Sequence, residues 1–253
     1  MANNFKTRLK NRETLIGSLV TLASTDVAEI MSLAGFDYLW IDTEHAPTDF
    51  VHTQMMIQAV GARCPCLLRI PENKEVWIKK ALDTGCDGIV VPQVKSAAEA
   101  REAIECCLYP PVGKRSVGIS RAHGYGMSFQ EYVSVVNDEL TIVLQVEHAQ
   151  GVQNIESIVE VPGIDAIFIG PFDLSGSLNL LGQIAHPQVQ EAIAEIKRHC
   201  DAANVPVGIF AVDAQSAKHS IGKGFSLIAL SMDSAYLWKS AKAALDEARG
   251  EGS

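Results

Sequence analysis

An α/β barrel of eight parallel strands ringed by helices, a (β/α)8 or TIM barrel, is the fold this sequence predicts, and three observations predict it. Eight short apolar runs alternate with helical segments along 253 residues, about the length such a barrel requires. The runs are continuously apolar, as strands are when helices cover a parallel sheet. The polar residues that interrupt the pattern fall just past the strand ends, where barrels of this kind keep their chemistry.

Residues 4–11 read as a short helix leading into the first strand, 15–22. Residues 26–34 follow as a helix closed by Gly35, then 38–42 (strand), 50–62 (helix), 66–70 (strand) and 75–84 (helix, stopped by Gly85). The fourth strand, 88–91, ends at Pro92, and the helix 97–108 ends at Pro110-Pro111. Residues 113–137 break the rhythm with a polar, glycine-rich loop over 116–126 and one helix near 129–136. Long insertions of this kind often serve as lids, and Arg121, His123 and Tyr125 are candidates to meet the far end of a substrate. The rhythm then resumes as strand 141–146, helix 152–159, strand 166–169, helix 187–203, strand 207–210, helix 214–221, strand 227–230 and helix 234–248. A doubly wound open sheet is the competitor. No G-x-G-x-x-G follows the first strand and no G-x-x-x-x-G-K-[ST] occurs, so nucleotide sites of those kinds have no support.

Composition carries no seam. Hydrophobic residues make up 47% and charged residues 20%, and Pro, Gly and Ser are scattered, which predicts one barrel domain over residues 1–253. The net charge of -9 provides no broad basic field, which argues against nucleic acid or an anionic membrane as partner. It leaves an anionic substrate possible, because one Arg and a metal reverse the sign inside a cleft. The start, Met1-Ala-Asn-Asn-Phe-Lys6, has no apolar core of signal-peptide length, so a cytoplasmic location is expected and the six Cys read as buried small hydrophobes. No run approaches the roughly 20 apolar residues of a spanning helix.

Two strand ends organise the chemistry. In an extended strand residues i and i+2 share a face, so Gln145 and Glu147 point one way while Val146 and His148 point the other. If neighbouring strands bring Glu147 beside Asp173, two carboxylates form half a shell for a hard divalent cation and leave positions open for an oxygen-rich substrate. Taken singly, Glu147 is equally a salt-bridged strand end and Asp173 a helix N-cap. Around them the strand ends bring Asp42, Glu44 and His45 after the second strand, Arg69 at the third, Gly170 after the sixth, and Ser231 and Asp233 after the eighth. His186, before Pro187, reads as a capping residue; His52, His199 and His219 read as solvated helix residues.

Five ordered motifs make a resemblance specific. They are Ile41-Asp-Thr-Glu-His-Ala-Pro47, Leu82-Asp-x-Gly85 with Gly88-Ile-Val-Val-Pro92, Tyr109-Pro-Pro-x-Gly-x-Arg115, Gln145-Val-Glu147 and Ile169-Gly-Pro-x-Asp-Leu-Ser175. In this order they resemble the class II pyruvate aldolases of the HpcH/HpaI family, such as 4-hydroxy-2-oxoheptanedioate and 2-dehydro-3-deoxyglucarate aldolases, over about residues 15–244. The resemblance implies a divalent-metal cofactor (Mg²⁺, Mn²⁺ or Co²⁺), aldol cleavage that releases pyruvate and an aldehyde, and a homo-oligomer built from dimers, often a hexamer, in which the last helix packs on a partner subunit. It places the metal ligands at Glu147 and Asp173. Arg69 takes the keto or enolate oxygen, Gln145 the amide position beside the metal, and the backbone around Gly170, Phe172 and Asp173 the pyruvate carboxylate. It makes His45 the catalytic histidine, with Asp42 as the acid that orients it.

The chemistry accounts for these residue types. Breaking the C3–C4 bond of a 4-hydroxy-2-oxo acid leaves an enolate, which a Lewis-acidic cation and a permanently charged Arg fork both stabilise. Something must also take the C4 hydroxyl proton, a task suited to an imidazole, acting directly or through a water. The sequence departs from the family's commoner pattern at Phe172 and at His148-Ala-Gln-Gly151, which puts the shape of the aldehyde pocket in question. Rivals are a Schiff-base aldolase, for which no strand end offers a Lys; an acyl-CoA lyase of the citrate lyase β or malyl-CoA lyase type; a decarboxylating relative like macrophomate synthase; and a non-catalytic barrel that binds a 2-oxo acid.

Overall fold

The eight apolar runs close on themselves. In the computed structural model, which describes residues 5–250, the strands are β1 (Leu15–Val20), β2 (Tyr38–Asp42), β3 (Cys66–Arg69), β4 (Gly88–Val91), β5 (Thr141–Val146), β6 (Ala166–Ile169), β7 (Val207–Ala211) and β8 (Leu227–Met232). Every strand pairs in parallel with its sequence neighbours, and β8 returns to β1 to complete the barrel. The helices are α1 (Phe5–Lys10), α2 (Thr25–Leu33), α3 (Phe50–Val60), α4 (Glu75–Asp83), α5 (Ala97–Cys107), α6 (Phe129–Glu139), α7 (Ala149–Gln153), α8 (Ile155–Val159), α9 (Pro171–Ser177), α10 (Pro187–Ala202), α11 (Ala214–Gly222) and α12 (Asp233–Arg249). Asn4, where the first helix was expected to open, and the start of the chain lie outside the described residues. Among the described residues no helix is long and apolar enough to cross a membrane.

Strand alternation sorts the core into two shells. Side chains pointing inward (Leu15, Leu19, Tyr38, Trp40, Leu67, Val90, Val143, Phe168, Leu227) form the barrel's own filling, and α1 closes its lower end with Phe5 and Leu9. Those pointing outward (Ile41, Leu68, Ile89, Val91, Leu144, Ile167, Ile209) meet the inner faces of the helices. At about 25 cal/mol per Å² of apolar surface removed from water, these two shells supply most of what holds the barrel together.

A four-fold repeat fixes the lower rim. Gly35-Phe-Asp37, Gly85-Cys-Asp87, Gly163-Ile-Asp165 and Gly224-Phe-Ser226 each precede an even-numbered strand, with the glycine at φ 89, 77, 97 and 83°, a region where a side chain would be strained. In the first three units the carboxylate takes an N–H from the first or second residue of the odd-numbered neighbour: Ile16 to Asp37 at 2.9 Å, Cys66 to Asp87 at 2.8 Å and Ile142 to Asp165 at 2.9 Å. The backbone N–H of each Asp donates back to the same residue's carbonyl, and Ser226 does likewise to Val207. These latches set strand register, which parallel pairing alone leaves loose.

Three elements differ from expectation. The helix expected at 152–159 begins earlier and breaks at Asn154, whose side chain leaves the helical ladder to donate to the Lys95 carbonyl at 2.8 Å. Residues 171–177 form the short helix α9, with Gly170 as its N-cap, so Asp173 sits in its first turn and is not the cap. The 113–128 segment is not a lid over the strand ends. It joins α5 to α6, within the connection that leads to the start of β5, and therefore lies on the lower face: Arg121 donates to the Thr84 carbonyl at 2.7 Å, and Arg115 pairs with Asp83 at 3.1 Å. His123 is buried within that segment, its ring meeting Gly118, Ser120 and Gly126. Arg121, His123 and Tyr125 thus sit at the end of the barrel opposite to the cluster described next.

Candidate active site

Four strand ends build one charged cluster on the upper rim. Arg69 is the last residue of β3 and stands in register with Asp42, the last of β2. Its guanidinium grips Asp42 through Nε (2.9 Å) and Nη2 (2.7 Å), the two-point fork that suits an arginine to a carboxylate. The third nitrogen, Nη1, lies 3.3 Å from Glu44 Oε2 and donates to Gln145 Oε1 at 3.5 Å. Below it the fork lies 5.6 Å over the Trp40 ring, which seats it on the barrel filling.

The Asp42 geometry corrects the expected pairing with His45. Asp42 Oδ1 accepts the backbone N–H of Glu44 (3.0 Å) and of His45 (3.4 Å) in addition to Arg69, which pins the turn after β2. The His45 ring itself is exposed, and its Nε2 lies 3.8 Å from Glu44 Oε2. An aspartate three residues before a histidine in a loop is free to turn elsewhere. Here the neighbouring strand's arginine claims both of its oxygens.

Period-two alternation holds at β5: Gln145 and Glu147 share a face, and the Gln145 amide donates to Glu147 Oε2. The other oxygen, Oε1, accepts both the backbone N–H (3.2 Å) and the side-chain amide (3.0 Å) of Gln93. Gln93, the residue past Pro92, carries no sequence signal of a role. It holds φ 57°, a costly conformation for a residue with a side chain, and in it both its donors reach one carboxylate. Gly170 completes the cradle, because a Cβ there would strike the Glu147 carboxylate and the Gln145 amide. His148 turns away, as alternation predicts, and caps α7 by accepting the Gln150 N–H at 3.1 Å. His186 caps α10 in the same way, through Gln188 at 3.3 Å. His199 is less solvated than expected: it lies 2.9 Å from Glu195.

The electrostatics of the cluster are lopsided. Burial is the main force raising the Glu147 carboxyl to about 7; the negative charges of Glu44 and Asp173 add to it, and Arg69 opposes it. Glu44 is likewise pushed up to about 7, chiefly by burial, against the pull of Arg69 and with the charges of Asp42 and Asp173 adding to the rise. Burial alone would lower Arg69, but the bond to Asp42 and the charges of Asp42, Glu44 and Glu147 outweigh it and push it up. One cation therefore faces four acids, Asp42, Glu44, Glu147 and the exposed Asp173.

Donor chemistry decides whether a metal fits. Glu147 and Asp173 supply hard oxygen donors in a region short of positive charge, the setting that suits a small divalent cation. Among the described residues no three His, Cys, Asp or Glu side chains gather into a closed cage. Two protein carboxylates with open positions beside them match a site that takes its remaining oxygens from substrate and water. The wall past β6 and β7 is apolar: Phe172, 41% exposed, meets Phe210 edge-on at 6.4 Å between ring centroids.

Comparison with known proteins agrees with this arrangement. The family model described as HpcH/HpaI aldolase/citrate lyase matches residues 16–240. The chain is 38% identical to a hydroxypyruvate/pyruvate aldolase of Paraburkholderia phytofirmans across 98% of both chains. It is 37% identical to a 2-keto-3-deoxy-L-rhamnonate aldolase of Klebsiella pneumoniae, covering 92% of this chain and 88% of that one. Among solved structures, an HpcH/HpaI aldolase/citrate lyase family protein from Burkholderia cenocepacia superposes with a TM-score of 0.94 at 35% identity, over 98% of this chain and 99% of that one.

Proposed function

The chain belongs to the HpcH/HpaI aldolase/citrate lyase family, and from that premise we propose that it is a carbon–carbon lyase, a single barrel domain that cleaves a 4-hydroxy-2-oxo acid reversibly to pyruvate and an aldehyde. The observation that carries this reading is the Arg69 fork, clamped by Asp42 with its third nitrogen turned toward Glu44 and Gln145. A 2-oxo acid presents a carboxylate and a keto oxygen side by side, and this rim offers a fixed cationic donor beside two hard carboxylates.

Glu147 and Asp173 would hold a divalent cation, Mg²⁺, Mn²⁺ or Co²⁺, which when bound supplies Lewis-acid stabilisation of the enolate charge. Arg69 donates to the keto oxygen as negative charge gathers on it; being held before the reaction, the fork costs no reorganisation. The first-turn N–H groups of α9, at Phe172 and Asp173, have no partner within the helix and face the pyruvate carboxylate. His45 takes the C4 hydroxyl proton during cleavage and returns it during addition. The Phe172–Phe210 wall receives the aldehyde. It offers apolar surface, which suits the carbon chain of an aldehyde.

The same reading extends to assembly. The only buried residue of α12 is Asp233, while Leu237 (64% exposed), Trp238 (65%) and Leu245 (45%) project into solvent. A second copy of the chain covering this stripe makes the protein a homo-oligomer.

The test is pyruvate release from a panel of 4-hydroxy-2-oxo acids, coupled to lactate dehydrogenase, with Mg²⁺ or Mn²⁺ and after chelation. Metal-dependent pyruvate is expected. A metal-replete protein that releases none from any member overturns the reading.

A further inference from the structure

We propose that Glu44, and not Asp42, is the positioning residue of His45, and that through Glu44 the proton-accepting imidazole is mechanically tied to the Arg69 fork. This rests on the aldolase reading above for what the imidazole does, and on geometry alone for what holds it.

Asp42 is turned to other partners and makes no bond to the ring. Its Oδ1 accepts from Arg69 Nε and from the backbone N–H groups of Glu44 and His45, and its Oδ2 from Arg69 Nη2. Glu44 is in the opposite condition. Its Oε2 is buried and accepts no hydrogen bond, although it lies between two donors, 3.3 Å from Arg69 Nη1 and 3.8 Å from His45 Nε2. Among the described residues it is the only carboxylate within 4.0 Å of the His45 ring. A buried acceptor without a donor is a cost that folded chains rarely leave standing. The nearest remedy is a small rotation of the exposed ring that brings Nε2–H onto Oε2.

That bond dictates which nitrogen works. With Nε2–H donated to Glu44, the lone pair sits on Nδ1, on the ring's opposite edge. In cleavage the C4 hydroxyl gives its proton to Nδ1, so an O–H bond breaks and an N–H bond forms. The O–H electron pair becomes the aldehyde C=O, and the C3–C4 pair moves onto the departing enolate. The imidazolium that results carries its new charge against the Glu44 carboxylate, which stabilises it as it appears. Arg69, which faces the enolate oxygen, touches the same carboxylate, so both ends of the breaking bond are referenced to one side chain.

The experiment compares Glu44→Gln, Glu44→Asp and Asp42→Asn in the full chain loaded with Mn²⁺ for kinetics and with Mg²⁺ for ¹⁵N spectra of the histidine rings, with His45→Ala to identify the His45 signals. The charged groups coupled to Glu44, the ring's neighbour, and whose titration enters any pH profile, are Asp42 from the end of β2, Arg69 from β3, Glu147 after β5 and Asp173 on α9. Expected for Glu44→Gln are a fall in kcat of about 10- to 100-fold with KM little changed, a displaced acidic limb of the kcat profile, and a shift of the His45 signals away from the Nε2–H tautomer. Glu44→Asp restores part of each. Asp42→Asn acts through Arg69, raising KM while the His45 signals stay in place. The proposal is overturned if Glu44→Gln leaves the ring signals and the acidic limb as in the parent while Asp42→Asn moves both. Should Glu44→Gln not fold, Glu44→Asp with its shorter reach reads the same signals. Failure of the aldolase reading shows separately, as absence of pyruvate from the parent protein, and the ring spectra still decide which acid holds His45.

Discussion

The two rims of the barrel use the same residue types to opposite ends. On the lower rim every acid before an even strand is spoken for: Asp37, Asp87 and Asp165 each take a strand N–H, and Asp37 and Asp165 also meet Arg8 at 2.8 Å and Lys6 at 3.1 Å. On the upper rim Asp42, Glu44, Glu147 and Asp173 gather about a single Arg69, and Glu44 and Glu147 are held near 7 chiefly by burial, with neighbouring carboxylates adding to the rise in each. The lower rim has spent its charge on register and shape. The upper rim keeps an unbalanced negative charge in reserve, which is what a site awaiting a cation and a polar substrate looks like.

Substitutions on each rim sharpen that contrast. The largest effect is expected at Glu147: Glu147→Gln lowers kcat/KM by about a thousandfold, or about 4 kcal/mol of barrel-borne catalysis. It also removes the rise in melting temperature that Mn²⁺ gives the parent, which differential scanning calorimetry reads directly. Arg69→Lys keeps the charge but loses the fork, and kcat/KM in the pyruvate assay falls by about a hundredfold. On the lower rim Asp165→Asn costs about 2 kcal/mol in urea unfolding, because Lys6 loses a charged partner, while kcat is unchanged. A lower-rim substitution that cut activity without loss of stability would break the comparison.

The smallest effect is in pH. The carboxyls of Glu44 and Glu147 stand near 7 in the folded chain against an ordinary 4.5, so between those values the folded state holds protons that the unfolded chain has released. Their contribution to stability is fully present below about 4.5 and is lost as pH rises through about 7. The metal-free protein should therefore melt lower at pH 8 than at pH 5.5, with a flatter dependence in Glu147→Gln and with Mn²⁺ restoring the loss at the alkaline end. A metal-free melting temperature that rises over this window would contradict the charge imbalance.

Much of this was legible in the sequence. Strands β2, β4, β5 and β6 begin and end where the apolar runs meet Gly, Pro or an acid, because buried parallel strands leave no polar alternation to blur their edges. The shared face of Gln145 and Glu147 followed from period two alone. Helix α9 escaped because seven residues containing Gly176 and two serines carry too little periodicity to read. The family resemblance paired Asp42 with His45. What decides the partner of Asp42 is the register of β2 against β3, which places Arg69 beside it and which only the closed barrel determines. The insertion at 113–137 was read by its length as a lid, although its position between a helix and the next strand already placed it below. Gln93 left no signal, since a positive φ at a glutamine is imposed from outside.

The four Gly-x-Asp units are not quite equal. The last has Ser226 in place of the acid, and no side-chain bond from it reaches the opening N–H of Val207 among the described residues. The quarter made by β7 and β8 therefore closes on backbone bonds alone, and it borders the β8–β1 seam, whose register slips between Gly17 and Leu19. Local opening follows the weakest latch. Hydrogen exchange read by mass spectrometry is therefore expected to be soonest in this quarter, at the strand from which α12 departs.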